Sequence, residues 1–126
     1  MPPTTVIFFK EATGEIPALE WLDSLPQKAQ DKCVIRLERL RDLGYELRRP
    51  EGDILRNGIY EMRASFQHVQ YRMLYFFWGS TAIVVSHGLT KKDVVPDLEI
   101  DLALRRKKAF LSNPVLHTHL ERKYER

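Results

Sequence analysis

Five basic side chains stand inside or just after runs that otherwise read as β-strand: Arg63, Arg72, His87, Lys91 and Lys92. Ionised groups in a sheet are costly unless they are paired or solvated, so this placement needs an explanation. Arginine offers a planar set of donors to phosphate oxygens, lysine a point charge, and histidine a proton exchanged near neutral pH. Such a set suits a phosphodiester substrate. In metal-free RNA cleavage the ribose 2′-OH attacks the adjacent phosphate. The reaction needs a base, an acid and fixed positive charge around a phosphorane-like transition state. Strand alternation puts Glu61 on one face with Ile59 and Arg63, and Arg72 on one face with Gln70 and Leu74. If the strands form a meander, the cations can converge. The plainer alternative is that Glu61 pairs with an arginine while the other cations coat a solvated sheet face. His87 likewise has a purely structural alternative.

The elements that must hold these residues follow from the pattern of the chain. Runs 59–63, 71–77 and 83–92 are aromatic and β-branched, and Ala-Ser-Phe-Gln and Trp-Gly-Ser interrupt them. They predict consecutive antiparallel strands with one face open to water and positively charged. Upstream, 4–10 (Thr-Thr-Val-Ile-Phe-Phe-Lys) predicts a first strand. Pro17 suits the first turn of a helix, and Ile16, Leu19, Leu22 and Leu25 recur at helical intervals. After Pro26, Cys33, Leu37 and Leu40 form the stripe of a second helix that Gly44 ends. The expected helical hairpin packs against the sheet, with Cys33 as a small apolar core residue and not a reactive thiol. Tyr45 to Asp53, with Arg48, Arg49 and Pro50, reads as a polar connector. Beyond Pro96, acidic residues lead and basic residues follow, the order that suits a helix dipole. The predicted order is β-α-α-β-β-β-α, an α+β fold with a small, mostly antiparallel sheet. Residues 1–111 read as one domain and 112–126 as a mobile C-terminal tail that carries His117 and His119.

Composition narrows the classes. A chain of 126 residues, 44% hydrophobic and 29% charged, fits a single folded domain. The net charge of +3 permits a polyanionic partner without requiring one. One cysteine excludes an intrachain disulfide and a cysteine zinc site, which suits a reducing cytosol. No apolar run reaches the roughly 18–20 residues that span a bilayer. The N-terminus lacks the basic flank and apolar core of a signal peptide, so a cytoplasmic location is expected. The chain has no Gly-rich phosphate loop and no carboxylate–histidine cluster at metal-ligand spacing, so neither cofactor nor metal is expected.

Three segments together resemble a known family: Gly58-Ile-Tyr-Glu-Met-Arg63, Tyr71-Arg72 with its aromatic strand, and His87-Gly-Leu-Thr-Lys-Lys92 followed by Pro96 and Glu99-Ile100. The pattern is similar to the phage-derived, HigB-like branch of the RelE/ParE toxin superfamily, over roughly Val6 to Ala109. The resemblance implies the toxin of a type II toxin–antitoxin pair, a metal-independent endoribonuclease that cuts messenger RNA in the ribosomal A site. It implies a cognate antitoxin, expected to be a helix-turn-helix protein encoded next door, and the ribosome with its message as the other partner. The pattern's functional cations fall at Arg63, Arg72 and Lys91 or Lys92. Arg48, Arg49, Arg56, Tyr60 and Tyr71 are the accompanying candidates for holding RNA. There are departures. Glu61 and Arg63 stand where RelE carries lysines, and Pro96 falls near the place of its last tyrosine, so His87 is the substitute candidate for proton transfer. The alternatives are a ParE-like poison of DNA gyrase on the same fold and a degenerate homologue that only binds an antitoxin.

Overall fold

Period-two alternation in the long hairpin strands decides which side of the sheet each residue joins. The computed structural model describes residues 4–47, 51–90 and 94–120. In chain order these form β1 (Thr5–Phe9), α1 (Pro17–Asp23), α2 (Gln27–Leu43), β2 (Gly52–Arg56), β3 (Ile59–Phe66), β4 (Val69–Trp78), β5 (Ala82–Thr90), α3 (Asp97–Ser112) and β6 (Thr118–His119). The sheet order is β2-β3-β4-β5-β1-β6. Strands β2 to β5 are an antiparallel meander, β1 lies parallel to β5, and β6 runs antiparallel to β1. The architecture is the expected α+β fold, with two strands more than expected.

Local chemistry explains most boundaries. Pro17 opens α1, and the Glu20 carboxylate accepts the Ile16 N–H, a donor with no partner inside the helix. Pro26 caps α2, and Gly44 ends it at φ 55°, where a Cβ is disfavoured. Asn57 and Gly58 take positive φ between β2 and β3, as a two-residue hairpin turn demands. Gln67 and His68 do the same between β3 and β4, with no glycine to ease it.

One face carries Val6, Phe8, Met62, Met73, Tyr75, Ile83 and Val85, all buried under Leu22, Ala29, Cys33, Leu37 and Leu40 of the helical hairpin. Trp21 packs against Gly88, where a Cβ would come within 2.1 Å of the indole. The opposite face carries Ile7, Phe9, Leu74, Phe76 and Val84, and α3 covers it with Ile100, Ala103 and Phe110. The expectation of one open, cationic face is therefore corrected. The charge order of α3 reads as solvated, but its apolar stripe at 100, 103 and 110 has helical spacing and seats it on the sheet. The cations are left to the end of that face. The segment expected to be a tail returns to the sheet as far as His119: His117 stacks on Phe9 at 4.8 Å, its Nδ1 bonds the Lys10 carbonyl, and Thr118–His119 pairs with β1.

Candidate functional site

Arg63 and Arg72 stand directly opposite each other on β3 and β4, and Glu61 is opposite Leu74 one step along the same face. Like charges facing across a strand pair repel, so this pairing requires compensation. Glu61 supplies it. Its Oε1 accepts from Arg63 Nε at 3.0 Å and from Arg72 Nη1 at 3.2 Å. Asp53 on the neighbouring strand takes Arg63 Nη2 at 3.4 Å. Glu61 and Arg72 are only 3% and 8% exposed, so the pair is held in a poorly screened environment. Arg72 Nε is buried and bonds to nothing among the described residues. One donor of a fixed guanidinium is thus unused.

The cluster opens into a cleft of about 470 Å³ lined by Arg63, Arg72, Ser65 and Gln70 from the sheet and by Lys32 and Arg36 from α2. Glu51 completes the wall. Arg36 Nε donates to the Arg63 carbonyl at 2.7 Å, which ties α2 to the edge of β3. Its Nη1 meets Glu51 at 2.8 Å, and Arg39 Nε meets the same carboxylate at 2.7 Å. The hydrogen bond from Arg39 holds the Glu51 carboxyl below its ordinary pKa. Two carboxylates, Glu51 and Glu61, therefore each bridge two arginines around one cavity. An incoming anion can take over those guanidinium donors without new charges being brought in.

His87 lies opposite Leu74, on the same face as the cluster, because Ser86 is an extra residue in β5 that shifts the register. Both ring nitrogens are engaged: Nδ1 with Ser86 Oγ at 2.8 Å and Nε2 with Glu99 Oε1 at 2.9 Å. A carboxylate can only accept, so Nε2 carries the hydrogen and Nδ1 accepts from the serine hydroxyl. Arg106 reaches Ser86 and pairs with Glu11 at 2.9 Å, extending the network from α3 to the end of β1. Burial lowers the imidazole pKa. The Glu99 hydrogen bond opposes this and the Arg106 charge adds to it, and the net direction is down. In this arrangement His87 is a neutral brace between β5 and α3. Its ring is engaged within the protein on both sides, whereas the sequence pattern leads one to expect a proton exchanged with a substrate.

The remaining candidates separate. Tyr60 and Tyr71 point to the opposite face, where Tyr60 stacks on Tyr75 at 5.5 Å and Tyr71 packs beside Trp21. Their alternation with Glu61 and Arg72 already places them away from the cations. Arg56 pairs with Asp101 and Asp97 of α3 and serves helix docking. Arg48, Arg49, Lys91 and Lys92 lie outside the described residues. Nothing in the sequence pattern singles out Lys32, Arg36 and Glu51: on α2 the two cations fall among polar positions that read as a solvated face. Among the described residues no group of three or more His, Cys, Asp or Glu side chains converges as a metal site would need. Nor is any helix among them long and apolar enough to cross a membrane. Compared with family models, residues 20–108 match the phage derived protein Gp49-like family (DUF891). No curated protein matches the chain.

Proposed function

This chain belongs to the phage-derived Gp49-like family, and from that premise we propose that it is the toxin of a type II toxin–antitoxin pair, a RelE/HigB-like nuclease that cuts messenger RNA on the ribosome. The observation that carries this reading is the facing pair Arg63 and Arg72, bridged by the buried Glu61 and open to a cleft. During 2′-OH attack, negative charge grows on the non-bridging phosphate oxygens. Arg72, held rigid and nearly dry, presents donors to that charge without reorganisation. Arg63, more exposed at its side chain, follows the phosphate.

Glu61, the carboxylate that both guanidiniums share, takes the proton of the 2′-OH. The 2′-oxygen bonds to phosphorus, the P–O5′ bond breaks, and the departing 5′-oxygen takes a proton from water. The products are a 2′,3′-cyclic phosphate and a 5′-OH end. The expected partners are the ribosome, its message and an antitoxin encoded next door.

Single-turnover cleavage of message on a programmed ribosome tests this. Arg72→Ala should slow cleavage by about 10²-fold or more, the scale of one preorganised donor. Arg72→Lys should recover part of the loss, because a point charge lacks the fork. Unaltered cleavage by Arg72→Ala would remove the site. Intact message together with trapped gyrase–DNA complexes would make the protein a ParE-like gyrase poison instead.

A further inference from the structure

We infer that the cleft continues past the arginine pair into a second anion subsite, built by Lys32, Ser65 and Gln70, that holds the neighbouring phosphate and ribose of the same RNA strand. The inference rests on the nuclease reading and extends it from the reacting phosphate to the path of the strand.

Three observations place the subsite. First, Ser65 and Gln70 face each other in the next pair of the β3–β4 ladder, on the same face as Arg63 and Arg72. Two residues along a strand amount to about 6.7 Å, so the two pairs are neighbouring rungs. Second, α2 runs alongside. Arg39 and Arg36 share Glu51, Arg36 reaches the Arg63 carbonyl, and Lys32 lies one turn earlier on the same helix face. That turn spans about 6 Å and continues toward Ser65 and Gln70, which line the cleft with Lys32. Third, these three side chains have spare donors. Among the described residues Lys32 makes no ion pair, and Ser65 and Gln70 make no side-chain hydrogen bond. Arg72, whose buried Nε has no partner among the described residues, lines the same cavity.

The donor set favours RNA over an acidic peptide. A peptide carboxylate uses donors alone, whereas a ribose 2′-OH both donates and accepts. Serine hydroxyl and glutamine amide groups match that requirement, and Lys32 supplies the charge for the phosphate between them. The subsite also explains why α2 brings cations to a sheet edge whose own residues are already paired with carboxylates.

The test is a titration of the full chain against a short fluorescent single-stranded RNA, without ribosomes, over a range of salt. The logarithm of affinity against the logarithm of salt should slope by about −0.7 per phosphate engaged. Lys32→Ala should make that slope shallower by about 0.7, while Lys108→Ala, the same charge change on the exposed outer side of α3, should leave it unaltered. Ser65→Glu, at an exposed hairpin position, should abolish binding while the far-ultraviolet circular dichroism stays that of the parent. Equal slopes for Lys32→Ala and Lys108→Ala would overturn the subsite, even if Arg72→Ala still abolishes cleavage. So would a poly-glutamate peptide that binds the cleft in place of RNA. A Lys32-dependent slope in a protein that cuts no message would keep the subsite and remove the nuclease reading instead.

Discussion

Replacing Glu61 by Gln should cost this fold a large share of its stability. The substitution keeps the shape and one acceptor oxygen but removes the charge shared by Arg63 and Arg72, which face each other across β3 and β4. With Arg72 only 8% exposed, two guanidiniums are left close together and poorly screened. Removing one partner of a buried pair costs about 3–5 kcal/mol, and the retained amide oxygen returns part of that, leaving about 2–3 kcal/mol. At about 2.1 cal/mol/K per residue, a chain of 126 residues unfolds with an entropy of about 0.26 kcal/mol/K. The melting temperature should therefore fall by about 8–11 °C. Calorimetry in phosphate-free buffer measures this. Two companions sharpen it. Adding phosphate should raise the melting temperature of Glu61→Gln more than that of the parent, because the anion replaces the missing carboxylate. The double variant Glu61→Gln, Arg72→Leu should be less destabilised than the sum of its parts, because no unpaired charge remains buried. A Glu61→Gln protein that melts within about 1 °C of the parent, with or without phosphate, would refute the claim that this carboxylate holds the pair together.

Other expectations follow from single residues. His87 has a folded-state pKa below its usual value near 6.5, so the unfolded chain binds the proton more readily. The stability it confers is present above about pH 6.5 and is lost as pH falls through the lowered folded-state pKa. Urea midpoints between pH 5 and 8 should show this loss, and His87→Gln should flatten it. Leu37→Asp puts a carboxylate at a site of zero exposure and should leave no cooperative melt by circular dichroism. Burial pushes the Cys33 thiol up to about 12, so it should react with a thiol reagent at neutral pH only after denaturant is added.

The sequence was legible where one physical signal dominated. Helical spacing located the hairpin of α1 and α2, and the aromatic, β-branched runs located β1, β3, β4 and β5. Alternation alone brought Glu61, Arg63 and Arg72 to one face. What it hid were features that depend on partners distant in the chain. β2 is short and follows a polar connector, and it becomes a strand because β3 offers it an edge. Thr118–His119 has no period to read and is a strand because β1 does. The extra residue Ser86, which aims His87 at the same face as Arg72, cannot be inferred before the register of β4 and β5 is known. The two cations of α2 looked like solvent-facing charges, because nothing local shows that Arg36 reaches a carbonyl 27 residues away. The tyrosines beside the motif cations fall on the other face for a simpler reason. Adjacency in a strand means opposite faces.

The place of β1 between β5 and β6 sets an order of events for the newborn chain. Residues 5–9 are synthesised well before their sheet partners, residues 82–85 and 118–119. Joining β1 to β5 closes a loop of more than seventy residues, an ordering penalty of about 4 kcal/mol that no local contact offsets. Folding should therefore be slow for a chain of this size and should depend on its late segments. Until they emerge, β1 presents an apolar strand with bare edges, the kind of surface that draws aggregation or chaperones. A chain stalled just before residue 82 carries Arg63 and Arg72 but lacks the finished sheet that fixes them. The paired guanidiniums become a site only after the late partners of β1 have been made.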